Sequence, residues 1–169
     1  MKKILVVGGA GYVGTRLSNY LFDKGHDVNV IDNFWFGDFL NNNITKTKKS
    51  LWDIKPNELE GFDVVLFLAG LSNDPMAMFR PDLNFIENSS APMYLGFMAK
   101  QAGVKRFICA SSCSVYGYTK NKTLNENSLV KPSYAYGISK LQCEQGITTL
   151  EDSNFRPILF RKGTVGGWS

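Results

Sequence analysis

Short unbroken apolar runs alternate along the chain with stretches in which apolar residues recur every three or four positions. Lys3 to Val7 is the first such run, closed by glycines, as a central strand buried on both faces requires. From Tyr12 to Lys24, Val13, Leu17, Leu21 and Phe22 fall at helical spacing, and Gly25 stands at a C-cap position. Val28 to Ile31 predicts a second strand. Residues 33–50 carry no periodic pattern and are expected to be irregular, with Ser50 to Asp53 a candidate edge strand. Three more strands are predicted at Val64 to Leu68, Phe107 to Ala110 and Pro157 to Phe160, and long helices at Asp82 to Ala102 and Tyr134 to Leu150. Pro92 removes a backbone donor inside the first of these helices and predicts a kink. Strands alternating with helices in this way predict an α/β fold, a doubly wound parallel sheet of six or so strands with helices on both faces.

Composition sets bounds on this picture. With 44% hydrophobic residues in 169, a folded chain of this mass hides about 70% of the surface it exposes unfolded. That is enough for one core, so residues 1–169 are expected to form a single domain. The three cysteines, Cys109, Cys113 and Cys143, include no CxxC pair, which argues against a disulfide framework or a four-ligand zinc site and favours a reducing, cytoplasmic location. The apolar run after Met1-Lys2-Lys3 is too short for a signal peptide or a membrane span. The net charge of +4 is mild. Lys46, Lys48 and Lys49 follow Asn41 to Asn43 and read as a solvated loop, so neither nucleic acid nor membrane is expected as a partner. The single histidine, His26, lies in the Lys24-Gly25-His26-Asp27 turn and is expected to be structural. This excludes a Ser-His-Asp triad and leaves no metal site.

The candidate chemistry begins at Gly8-Gly9-Ala10-Gly11-Tyr12-Val13-Gly14. Gly8, Gly11 and Gly14 follow the first strand and open the first helix. Gly8 permits the tight turn, Gly11 lets backbone N–H groups approach a pyrophosphate, and Gly14 allows close packing of helix on strand. This is the arrangement of a dinucleotide-binding, Rossmann-type fold. Asp32 ends the second strand, where a carboxylate accepts hydrogen bonds from the adenosine ribose hydroxyls and repels a 2′-phosphate. Asn33, Phe34 and Trp35 offer no arginine to hold such a phosphate. NAD is therefore expected rather than NADP, which argues against an NADPH-dependent carbonyl reductase.

Tyr136 and Lys140 stand four residues apart on a predicted helix, on one face and about 6 Å apart along its axis. A tyrosine hydroxyl ordinarily keeps its proton at neutral pH. To act as a base it needs a neighbouring positive charge, which Lys140 and an oxidised nicotinamide ring can supply. Ser111-Ser112-Cys113-Ser114 follow the fifth strand, at the sheet edge where ligands of such folds bind, and a hydroxyl there can hydrogen-bond a substrate oxygen. Cys113 has no adjacent base and reads as a small packing residue.

Together these residues resemble the extended short-chain dehydrogenase/reductases, and among them the NAD-dependent sugar-nucleotide epimerase/dehydratase family. The resemblance runs in order through nearly the whole chain: GGAGYVG (8–14), IDNF (31–34), Asp53-Ile54, FLAGLS (67–72), Asn88, SSCSVYG (111–117), Glu126 with Pro132, YGISK (136–140) and FRKGTVGG (160–167). It implies cofactor contacts from Gly8, Gly11, Tyr12, Val13, Gly14, Asp32, Asn33 and Asn88. It also implies Asp53 and Ile54 near the adenine, Ala69 and Gly70 beside a ribose, and Thr164 and Val165 near the nicotinamide. Ser112 falls on the family's catalytic Ser/Thr position, with Tyr136 as the base and Lys140 as its ribose-binding partner. The implied substrate is a UDP- or dTDP-hexose, and the implied assembly a homodimer through helices 82–102 and 134–150. Family enzymes continue into a C-terminal region that binds the nucleoside diphosphate and sugar. Two functions therefore stay open: an NAD-dependent epimerase or dehydratase, or a truncated dinucleotide-binding module, sensor or remnant, without turnover.

Overall fold

A computed structural model describes residues 1–120 and 123–167. In chain order the elements are β1 (Lys3–Val7), α1 (Tyr12–Asp23), β2 (Asp27–Asp32), β3 (Thr45–Lys48), β4 (Val64–Phe67), α2 (Asp74–Phe79), α3 (Pro81–Phe85), α4 (Ala91–Gln101), β5 (Arg106–Ser112), α5 (Ala135–Thr148) and β6 (Arg156–Lys162). All six strands join one parallel sheet in the order β3-β2-β1-β4-β5-β6. The direction of winding reverses between β1 and β4, which leaves a crevice beyond their carboxyl ends.

The unbroken apolar run of β1 follows from its central place. Successive side chains point to opposite faces, so Leu5 and Val7 enter a core with Phe67, Leu95, Phe107 and Ile147, while Ile4 and Val6 enter another with Val28, Val30 and Leu66. Helices α4 and α5 cover the first face. On the second, α1 lays down Leu17, Leu21 and Phe22, and Phe34, Leu40 and Ile44 extend the cover. Phe160 of β6, at the far edge, is exposed.

Three expectations about the elements are corrected. The edge strand is Thr45–Lys48, inside the stretch expected to be irregular. Its Thr-Lys alternation is that of a strand with solvent on one side, and lysine on an edge discourages further pairing. Ser50 to Asp53 is no strand, because the Ser50 side chain accepts the Trp52 N–H at 3.3 Å and caps a short 3-10 turn over Leu51–Asp53. The long helix expected over 82–102 is interrupted. Residues Ile86–Ser90 form a π turn, and α4 restarts with Pro92 in its first turn, where the missing donor has no intrahelical acceptor to abandon. Helix α2 has no counterpart in the apolar pattern. It is set by Asn73, whose side chain accepts the Met76 N–H at 3.1 Å, and by Pro75 in its first turn.

The cysteines are free thiols, with the Cys109 and Cys143 sulfurs 3.7 Å apart in the core. Cys113 is exposed on the 3-10 turn after β5, so it is not the packing residue expected. His26 does serve its turn, its Nδ1 accepting the Lys2 N–H at 3.2 Å.

Candidate functional site

The turn between β1 and α1 is built by two kinds of glycine. A Cβ at Gly8, where φ is +83°, would run into the Ala69 backbone, and one at Gly14 would run into the Gly8 carbonyl. These positions close the protein on itself. At Gly11 a Cβ would meet only the Gly8 carbonyl, at 3.5 Å, and Gly11 caps α1 without any side-chain hydrogen bond. The first N–H groups of α1, which have no intrahelical acceptor, are thus left uncapped at the positive end of the helix dipole. The residues present fit a pyrophosphate.

Asp32 holds this turn from the next strand. Its Oδ2 accepts the Ala10 N–H at 2.9 Å and its Oδ1 accepts the Phe34 N–H at 2.8 Å. A carboxylate oxygen has capacity for a second donor, so ribose hydroxyls can still be bound. The nearby Lys49 is committed to Glu58 at 2.6 Å and is no ready partner for a 2′-phosphate.

Two hollows meet at this turn. A cleft of about 940 Å³ runs from Gly8, Gly11, Tyr12, Val13 and Gly14 to Ser112 and Tyr136, with Thr164 and Val165 on its wall. A smaller one of about 430 Å³ is lined by Asp32, Asn33, Ala69 and Gly70, and shares Gly8 and Gly11 with the first. Four expected residues do not line either. Ile54 is in the core and Asp53 is exposed on its 3-10 turn. Asn88 is fully buried behind Gly70, donating to the Leu71 carbonyl at 2.7 Å and to Asn84 Oδ1 at 2.8 Å. Lys140 is buried, its Nζ donating to the Ala110 carbonyl at 3.1 Å and lying 5.7 Å from the centre of the Tyr136 ring.

Ser112 is the last residue of β5, and its Oγ accepts the Ser114 N–H at 3.1 Å. Tyr136 is in the first turn of α5, and both are only 8% exposed. Two polar networks that no motif announces support them. In one, Asn84 donates to the Ala135 carbonyl at 3.0 Å and accepts from Ser139 at 3.2 Å, which ties α3 to the start of α5. In the other, Glu144 accepts from Ser111 and from Arg161, the latter through Nε at 3.0 Å and Nη2 at 2.7 Å. Arg161 also donates to the Tyr116 hydroxyl at 3.1 Å. The Glu144 carboxylate binds the guanidinium so well that its pKa rises above the ordinary arginine value.

Residues 4–168 match the model of the NAD dependent epimerase/dehydratase family. The chain belongs to that family. Among its fellow members, the UDP-glucose 4-epimerase of Corynebacterium glutamicum is 29% identical over 154 residues, covering 87% of this chain and 46% of that protein. The solved UDP-N-acetylglucosamine 4-epimerase from Methanobrevibacter ruminantium, in complex with UDP-N-acetylmuramic acid, is 30% identical with a TM-score of 0.85, covering 95% of this chain and 54% of that one. MoeE5 in complex with UDP-glucose and NAD is 26% identical with a TM-score of 0.82, covering 93% and 52%. This epimerase/dehydratase family member thus spans about half the length of the relatives it matches. NAD, the cofactor expected from the glycine turn and Asp32, is the family's own. Among the described residues no helix is long and apolar enough to cross a membrane.

Proposed function

We propose that residues 1–169 form one NAD-binding unit that carries the hydride-transfer machinery of a nucleotide-sugar epimerase or dehydratase acting on a UDP- or dTDP-hexose. The observation that carries this reading is the single cleft that runs from the phosphate-binding turn to Ser112 and Tyr136. Gly11, Tyr12 and Val13 would hold the pyrophosphate, Asp32 the adenosine ribose, and Thr164 and Val165 the nicotinamide end. Bound NAD would accept hydride from a sugar carbon and return it. Tyr136 takes the proton of the sugar hydroxyl, and Lys140, held against the Ala110 carbonyl, places a positive charge beside the Tyr136 ring. Ser112 hydrogen-bonds the same sugar oxygen and orients it.

Three measurements test this. Mass spectrometry of the purified protein is expected to find NAD retained, and calorimetry to find NAD bound more tightly than NADP. NMR of UDP-glucose, UDP-galactose or dTDP-glucose incubated with the protein is expected to show an epimer or a keto-sugar. NAD binding without binding or conversion of any of these would instead favour a dinucleotide-binding module without turnover. Failure to bind NAD would sink both.

The outer surface of the 82–102 and 134–150 segments supports a homodimer. Ile86, Phe97 and Ile138 are exposed apolar side chains on those segments, and burying them against a second copy would remove apolar surface from water. Sedimentation at micromolar concentration is expected to give a dimer. A monomer alone would overturn that assembly.

A further inference from the structure

Lys162 is the last residue of β6 and lies in register beside Ser112, the last residue of β5. The two share a wall of the large cleft with Tyr136 and Thr164. Among the described residues the Lys162 amine makes no hydrogen bond or ion pair, although the carboxylates of Asp38, Glu58, Asp63, Asp82, Glu144 and Asp152 each have a cationic partner. Burial, and then the charge of Lys140, lower its pKa below the ordinary lysine value. A partly buried cation placed beside another cation, with no acid paired to it among the described residues, is stabilised by an anion brought in from outside.

The cofactor's pyrophosphate is not that anion. It belongs at the end of β1, and β4 and β5 stand between β1 and β6, so the separation is three strand spacings, about 14 Å, beyond the reach of a lysine side chain. A molecule bound against Ser112 and Tyr136 can bring such an anion within reach of the amine. We infer that Lys162 selects a sugar nucleotide whose hexose carries a carboxylate next to the reacting carbon, a hexuronic acid. This rests on the nucleotide-sugar reading above. In such a sugar the carboxylate on C5 adjoins a reacting C4, whereas the diphosphate hangs from C1 across the ring.

The test is calorimetry on the NAD-loaded protein with UDP-glucuronate and UDP-glucose, which share nucleotide and diphosphate and differ at the carboxylate. One charge-assisted hydrogen bond predicts a preference for UDP-glucuronate of about 10- to 100-fold. In Lys162→Met the preference is expected to disappear, and in Lys162→Arg to remain in part. Equal affinity of the wild-type protein for the two ligands would overturn the inference while leaving the nucleotide-sugar reading intact. So would an equal loss for both ligands in Lys162→Met, which would assign the amine to the diphosphate. Binding of neither ligand would overturn both. The wild-type comparison alone decides the matter if the methionine variant does not fold.

Discussion

Tyr136→Phe is expected to lower kcat for sugar-nucleotide conversion by about 10²- to 10⁴-fold, the usual contribution of a positioned acid–base group, with NAD affinity nearly unchanged. The substitution removes one oxygen and keeps the ring, which is 8% exposed on the first turn of α5, so packing against the strand ends survives. The lost oxygen is the proposed proton acceptor. The pyrophosphate cradle at Gly11 and the ribose-binding carboxylate of Asp32 lie on other elements and keep their geometry. Turnover followed by NMR, together with calorimetry of NAD, checks both halves. Activity within tenfold of the wild type would remove Tyr136 from the base role. A parallel loss of NAD affinity would mean that the tyrosine serves the cofactor more than the sugar.

The parts of this site that the sequence announces are those in which backbone geometry dictates residue type. Gly8 and Gly14 are glycines because any Cβ there strikes backbone, and that constraint leaves a spacing that can be read without a structure. Tyr136 and Lys140 are legible because a helix converts a separation of four into adjacency. The central strands are legible because both faces are buried. Thr45–Lys48 is not, because an edge strand with one wet face carries no apolar run. Asn84 and Glu144 are equally hidden. Each acts by hydrogen-bonding to residues of other elements, and a long-range contact leaves no local spacing to detect. The one local hint is Asn84 and Asn88, one helical turn apart on a buried helix face. Asp53 and Ile54 illustrate the converse, since their match to the family pattern coincides with a capped 3-10 turn and a core position rather than with a cleft wall.

Arg161→Met is expected to destabilise the fold by about 3 kcal/mol, the low end of the cost of breaking a buried ion pair from one side. The Glu144 side chain is only 6% exposed against 22% for Arg161. Loss of the guanidinium strands a carboxylate on α5 with Ser111 as its remaining side-chain donor, and the slight exposure of the site keeps the cost from reaching the upper end of the range. For a chain of this size that corresponds to a fall in Tm of roughly 6–12 °C. The double variant Glu144→Leu, Arg161→Met removes both charges together and is expected to recover most of the loss, because the pair's own attraction largely offsets its desolvation. Thermal unfolding of the wild type, both single variants and the double variant closes the cycle. A single variant melting within about 2 °C of the wild type would mean that water replaces the guanidinium at little cost. The arrangement explains why an ion pair stands here at all. Ser111, Glu144 and Arg161 flank Ser112, Lys140 and Lys162 on β5, α5 and β6, so one charged contact fixes the relative position of the three elements that carry the reacting end of the cleft.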